Sequence, residues 1–117
     1  MAKNIVFDDG TQLALTATDP ATPASGDPVV VGQIPGVALI NEAADGSTAI
    51  KTNGVATLSV KGVDGGGNSA VSAGDILYYV SGDTPKLSKK NTGVRFGYAL
   101  EAVSSGATAT IRVKIGY

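Results

Sequence analysis

Apolar residues run along this chain in short stretches, broken about every 8 to 12 residues by Gly, Pro, Asp, Asn and Ser, the rhythm of an all-β fold. The segment TQLALTA alternates, with Leu13 and Leu15 on one face and Gln12, Ala14 and Thr16 on the other, as in a half-buried strand. The closing ATIRVKIGY turns Ile111, Val113 and Ile115 inward and leaves Arg112 and Lys114 to solvent. Between these two segments the pattern predicts strands near 28–32, 36–41, 48–52, 54–61, 75–81 and 94–103, and no long helix. The expectation is one small all-β domain over residues 1–117, a β-sandwich or barrel.

Two linkers punctuate the pattern. TDPATPASGDP carries three prolines that stiffen it toward extended conformations. GVDGGGNSA, residues 62–70, reads as a flexible glycine-rich surface loop. Residues 1–10 admit two readings: an N-terminal arm reaching a neighbour, or a first strand of the chain's own sheet, turned back through Asp9-Gly10.

The chain also resembles itself. SGDPVVVG from Ser25 matches AGDILYYV from Ala73, Gly36-Val37-Ala38-Leu39 matches Gly97-Tyr98-Ala99-Leu100, and Ala49-Ile50-Lys51 matches Thr110-Ile111-Arg112. The Gly-Asp pairs lie 48 positions apart (26 to 74) and the later matches 61 (36 to 97, 50 to 111), so one 13-residue insertion near SGDTPKLSKKNTG reconciles them. Internal duplication and coincidence between short β-rich segments both account for these matches.

Composition narrows the chemistry. With no His and no Cys there is no imidazole base, thiolate, zinc knuckle or disulfide, so no catalytic, cofactor or metal residue is assigned. Asp64 and Asn68 lack the spaced carboxylates of a calcium loop, and the glycine run lacks the Gly-Lys-Ser/Thr ending of a phosphate loop. Asp27 and Asp75 are the symmetric choice for an acid-base pair, but each follows Gly before a strand, where Asp caps its own turn. A formal charge of −1 disfavours nucleic-acid binding, and no apolar stretch is long enough to span a membrane as a helix.

The blocks AKNIVFDDGTQLALTA, SGDPVVVGQIPGVAL, GVATLSVK, AGDILYYV and FGYALEAVSSGATATIRVKI, in this order, resemble a phage capsid cement or head decoration protein family. Relatives have carried a RecA-type recombinase label, which the missing Walker-type loop and the short chain contradict here. The resemblance implies a jelly-roll-like β-sandwich and a non-enzymatic virion protein without cofactor, assembled in the host cytoplasm. Such a protein sits on the capsid exterior and bridges subunits of the major capsid protein; independently, the apolar runs VVV and ILYYV, more than a lone 117-residue sandwich can readily bury, predict self-association as a dimer or trimer. The alternative is a tail-fibre or adhesin module binding carbohydrate, for which Phe96 and Tyr98, set by alternation on one face of a strand, are better read as packing residues than as sugar platforms.

Contact candidates follow from unbroken apolar runs. Ile5-Val6-Phe7, Val29-Val30-Val31 and Ile76-Leu77-Tyr78-Tyr79-Val80 call for a cover on both strand faces, by a partner subunit, the capsid or the N-terminal arm. The candidates are Ile5, Phe7, Val30, Tyr78 and Tyr79, with one of the two tyrosines in the core. Lys86, Lys89 and Lys90 are added as a basic cluster that would meet an acidic capsid surface or simply keep a loop soluble.

Overall fold

The computed structural model describes residues 12–16, 24–41 and 47–116. The strands in chain order are β1 (Gln12–Thr16), β2 (Pro28–Val31), β3 (Ile34–Ala38), β4 (Ser47–Lys51), β5 (Gly54–Lys61), β6 (Val63–Asp64), β7 (Gly67–Asn68), β8 (Ile76–Tyr79), β9 (Leu87–Ser88), β10 (Val94–Ala99) and β11 (Thr108–Ile115). β1 to β4 form a sheet ordered β1-β4-β3-β2, the ring β10-β11-β5-β9-β8 closes into a barrel, and β6 and β7 form a small hairpin. The all-β class is as expected, and the barrel is the form it takes. Among the described residues it is a closed five-stranded barrel with a four-stranded sheet beside it.

The duplication is written into the ladders. Cut between β5 and β8, the ring reads β5-β11-β10-β8 with β9 in the gap, the same topology as β1-β4-β3-β2. Register agrees: Pro28 faces Val37 and Val29 faces Gly36, while Ile76 faces Tyr98 and Leu77 faces Gly97. The third sequence match needs a correction. Val37 faces Lys51 and Ala38 faces Ile50, whereas Tyr98 faces Lys114 and Ala99 faces Val113, so Ala49-Ile50-Lys51 corresponds to Arg112-Val113-Lys114. A slip of two residues leaves inside and outside unchanged, so periodicity alone does not detect it.

Each copy opens on the same turn. Asp27 N–H donates to Ala24 O (3.0 Å) and Asp75 N–H to Ser72 O (3.0 Å), while Asp27 Oδ2 accepts from Ala24 N–H (3.0 Å) and Asp75 Oδ2 from Ser72 N–H (2.8 Å). Gly26 and Gly74, third in their turns, have φ of 89° and 93°, the left-handed backbone that a type II turn demands there. Gly36 and Gly97 are fixed by close approach instead. A Cβ on Gly36 would strike Ile50 Cγ2 and lie 2.8 Å from Lys51 O, and one on Gly97 would strike the equivalent carbonyl oxygen, that of Lys114.

The copies differ in closure. The insertion inferred from the sequence contains β9, which pairs antiparallel with β8 (Tyr78 with Ser88, Tyr79 with Leu87) and parallel with β5 (Val60 with Leu87). Leu58, Val60, Leu77, Tyr79, Leu87, Phe96, Ile111, Val113 and Ile115 form the main core. Along β11 the alternation holds as read, with Ile111, Val113 and Ile115 buried and Arg112 and Lys114 exposed.

Three expectations change. The run Val29-Val30-Val31 is covered within the chain: Val30 and Val37 join the main core, while Val29, Ala38 and Ile50 form a second cluster, with Leu15 and Val31 packed against it. The segment 62–70 is not a free loop. It holds the β6–β7 hairpin, Asp64 Oδ1 accepts from Gly66 N–H (2.8 Å), and Gly106 N–H and Ser69 N–H both donate to Gly62 O (2.7 and 3.0 Å). Phe96 and Tyr98 do not share a face. The β8–β10 register shifts between Arg95 and Gly97, making Phe96 the extra residue of a bulge that turns it inward while Tyr98 stays outside.

Leu87→Ala removes the apolar side chain at the closure and is expected to cost about 2–5 kcal/mol. Gly36→Ala and Gly97→Ala should each cost about 1–3 kcal/mol by overpacking. Gly82→Ala, with nothing within 4 Å of its Cβ, is the control and should stay within about 0.5 kcal/mol of the parent in urea unfolding.

Candidate functional site

The three candidate lysines flank β9, and their ammonium groups are engaged by the chain itself. Lys89 Nζ donates to Ala70 O (2.9 Å) and Ser69 Oγ (3.1 Å) and lies 3.5 Å from Asp75 Oδ2. Lys90 Nζ sits 2.8 Å from Asp83 Oδ2, and Lys86 Nζ donates to Ser81 O (2.7 Å) with the Tyr79 ring 5.8 Å away. A two-residue strand has few ladder bonds of its own. These cations tie its flanks to the β7–β8 connection and to the loop after β8, so their first use is to hold the barrel shut.

The aromatic candidates separate. Tyr79 is 2% exposed and Val30 4%, so both are spent inside the chain's core, whereas Tyr78 is half-buried on the barrel exterior, opposite Arg95. Ile5 and Phe7 lie outside the described residues. Sequence reading missed the group beside Tyr78. Arg95 Nη2 donates to Tyr98 Oη (2.6 Å), the Arg95 guanidinium lies 5.5 Å from the Tyr98 ring centre, and Lys114 Nζ lies 5.7 Å from it. Two cations over one ring make a firm, positively charged outer face. The signal was the spacing Arg95-x-x-Tyr98, masked by the bulge that reverses the strand's alternation.

Asp27 and Asp75, the symmetric acidic pair, are both in structural use. Each caps its own turn, Asp75 lies beside Lys89, and Asp27 lines a cleft of about 280 Å³ with Pro28, Ser59, Asp83, Thr84, Pro85 and Lys86. That cleft separates the first copy's opening turn from the segment leading into β9. Asp83 within it is committed to Lys90. Among the described residues no group of three or more acidic, His or Cys side chains converges as a metal site.

Among the described residues five large apolar side chains stand out in solvent: Ile34, Leu39, Ile40, Val55 and Leu100. Together with the Tyr98 face they put the distinctive chemistry of the molecule on its outside.

The fold defines a small all-β protein built on an internal repeat. The phage cement protein family matches residues 7–115, and the chain belongs to that family. It is a structural protein associated with the phage capsid, located in the virion. No curated protein and no solved structure matches it.

Lys89→Met deletes two hydrogen bonds and an ion pair around the closing strand. It is expected to lower unfolding stability by about 1–2 kcal/mol, with most of the ion-pair share lost from the difference at high salt. Lys90→Met, which deletes one half-exposed pair, should cost about 1 kcal/mol or less in the same urea titration.

Proposed function

We propose that this protein binds the exterior of the assembled phage head and bridges neighbouring subunits of the major capsid protein, resisting expansion or rupture of the shell. Membership of the cement family across nearly the whole chain carries the reading. The structure supports it by what it offers a partner: a rigid closed barrel, a cationic Tyr98 face with Tyr78 beside it, and exposed apolar side chains. Bridging gains from multivalency. Once one contact is made the next is intramolecular, so modest interfaces, of about 800 Å² per partner or less, sum to tight retention.

The case for a free dimer or trimer drawn from the apolar runs loses its main support, because Val29, Val30 and Tyr79 are covered within one chain. We therefore place the multivalency in the shell. A carbohydrate site is disfavoured too: Phe96 is buried and Tyr98 already carries cations against its ring.

Purified heads lacking this protein are expected to take it up saturably in co-sedimentation and to rupture at a higher temperature once decorated. Heads that neither bind it nor gain heat resistance would overturn the proposal. Calorimetric titration with ATP and magnesium should be flat, as the absent phosphate loop requires.

A further inference from the structure

The two copies of the repeat allow a comparison that a single sequence rarely offers: the same corner, built twice, under the same backbone constraints. It runs from the Gly-Asp turn along the first strand and back to the end of its partner, residues 24–31 with 34–39 in one copy and 72–79 with 95–100 in the other. The backbone hydrogen bonds correspond one to one. Gly26 N–H donates to Ala38 O and Gly74 N–H to Ala99 O, both at 2.7 Å; Ala38 N–H donates to Asp27 O (3.0 Å) and Ala99 N–H to Asp75 O (2.9 Å). At the end of the corner Leu39 N–H donates to Ala49 O (2.8 Å) and Leu100 N–H to Arg112 O (3.0 Å), again equivalent residues.

Five residues are identical between the copies of this corner: Gly26 and Gly74, Asp27 and Asp75, Gly36 and Gly97, Ala38 and Ala99, Leu39 and Leu100. Elsewhere the copies diverge, as in Pro28 against Ile76 and, at a position fully buried in both, Val29 against Leu77. The fold dictates four of the five. The first glycine needs positive φ, the aspartate caps the turn, the second glycine faces a carbonyl oxygen, and the alanine is at most 1% exposed.

The leucine is different. Leu39 is 40% exposed and Leu100 38%, and neither is among the buried residues of either core cluster. One exposed leucine on a protein surface is ordinary. An exposed leucine kept at the same point of both copies, while the buried pair Val29 and Leu77 differs, is not called for by the turn, the cap or the close approach that fix the other four.

We infer that Leu39 and Leu100 are two equivalent anchors, each seated in the same apolar depression on one of two adjacent shell subunits, so that one chain clamps two copies of one partner. The inference rests on the head-binding reading above and adds to it the residues and the stoichiometry. Two like corners call for two like receptors, which a shell of repeated subunits supplies. The corners differ at their rims. The first continues into Ile40, 52% exposed, while the second is followed by Glu101, whose Oε1 pairs with Arg112 Nε at 3.3 Å. The first anchor is therefore the more apolar and the tighter of the two.

The test uses the full chain and purified heads lacking it. Leu39→Ser and Leu100→Ser are each expected to weaken co-sedimentation with heads roughly tenfold, the first more than the second, and the double variant roughly a hundredfold or more. Leu→Met at both positions should bind like the parent, and all variants should melt within a degree or two of it. A double Ser variant that binds as tightly as the parent would overturn the inference. So would one leucine carrying the whole effect with the other silent, or a fall of many degrees in melting for both single variants, which would give the leucines a role in the fold. Failure of the parent itself to bind heads is a separate result, which removes the head-binding reading and the anchors with it.

Discussion

Closure of the barrel by β9 is the constraint on which the rest depends. Without Leu87 and Ser88, β5 and β8 would each present an unpaired edge, and the interior lined by Val60, Leu77 and Tyr79 would open along one seam. Two residues close it because Leu87 answers two strands at once, opposite Tyr79 on one side and Val60 on the other, and is itself fully buried. So short a strand is held from its flanks, by Lys89 on Ser69, Ala70 and Asp75 and by Lys90 on Asp83. The basic segment thus has a structural purpose before any partner is considered.

The first copy shows what the same unit is without such a strand. Among the described residues its own cluster holds Val29, Ala38 and Ile50, with Leu15 and Val31 against them. The sheet is held by lending Val30 and Val37 from its other face to the barrel's core. This division explains why β2 reads as an unbroken apolar run. One face serves the sheet and the other serves the barrel, and no external cover is required.

Much of this was legible in the sequence, and the failures have physical causes. Alternation located β11, β5 and β4, and the Gly-Asp repeat located both turns, because a positive φ and an aspartate cap each leave a residue-specific mark. The insertion length pointed to an extra element, but two residues of strand carry no periodicity, so β9 itself was invisible. Phe96 defeated the alternation rule since a bulge adds one residue and reverses facing beyond it. The glycine run at 62–70 was misread because composition reports conformational freedom, whereas its order comes from distant partners such as Gly106 and Lys89, whose N–H groups donate to Gly62 O and Val63 O. For the surface, sequence counted lysines correctly but could not see which carboxylates and carbonyls they meet.

That last point bears on how a protein of this family does its work. A loop lysine already tied to its own chain must break a hydrogen bond and an ion pair before it meets a new partner, so the charge visible in the sequence overstates what is available for binding. Apolar side chains carry no such debt: an exposed leucine gains by any contact that removes it from water. Duplication multiplies this advantage, because a second copy of the corner brings a second leucine on a backbone already fixed by turn, cap and core. The constraint that makes the barrel rigid therefore also makes the two corners alike, and a rigid body presenting two like points suits a shell in which every subunit repeats.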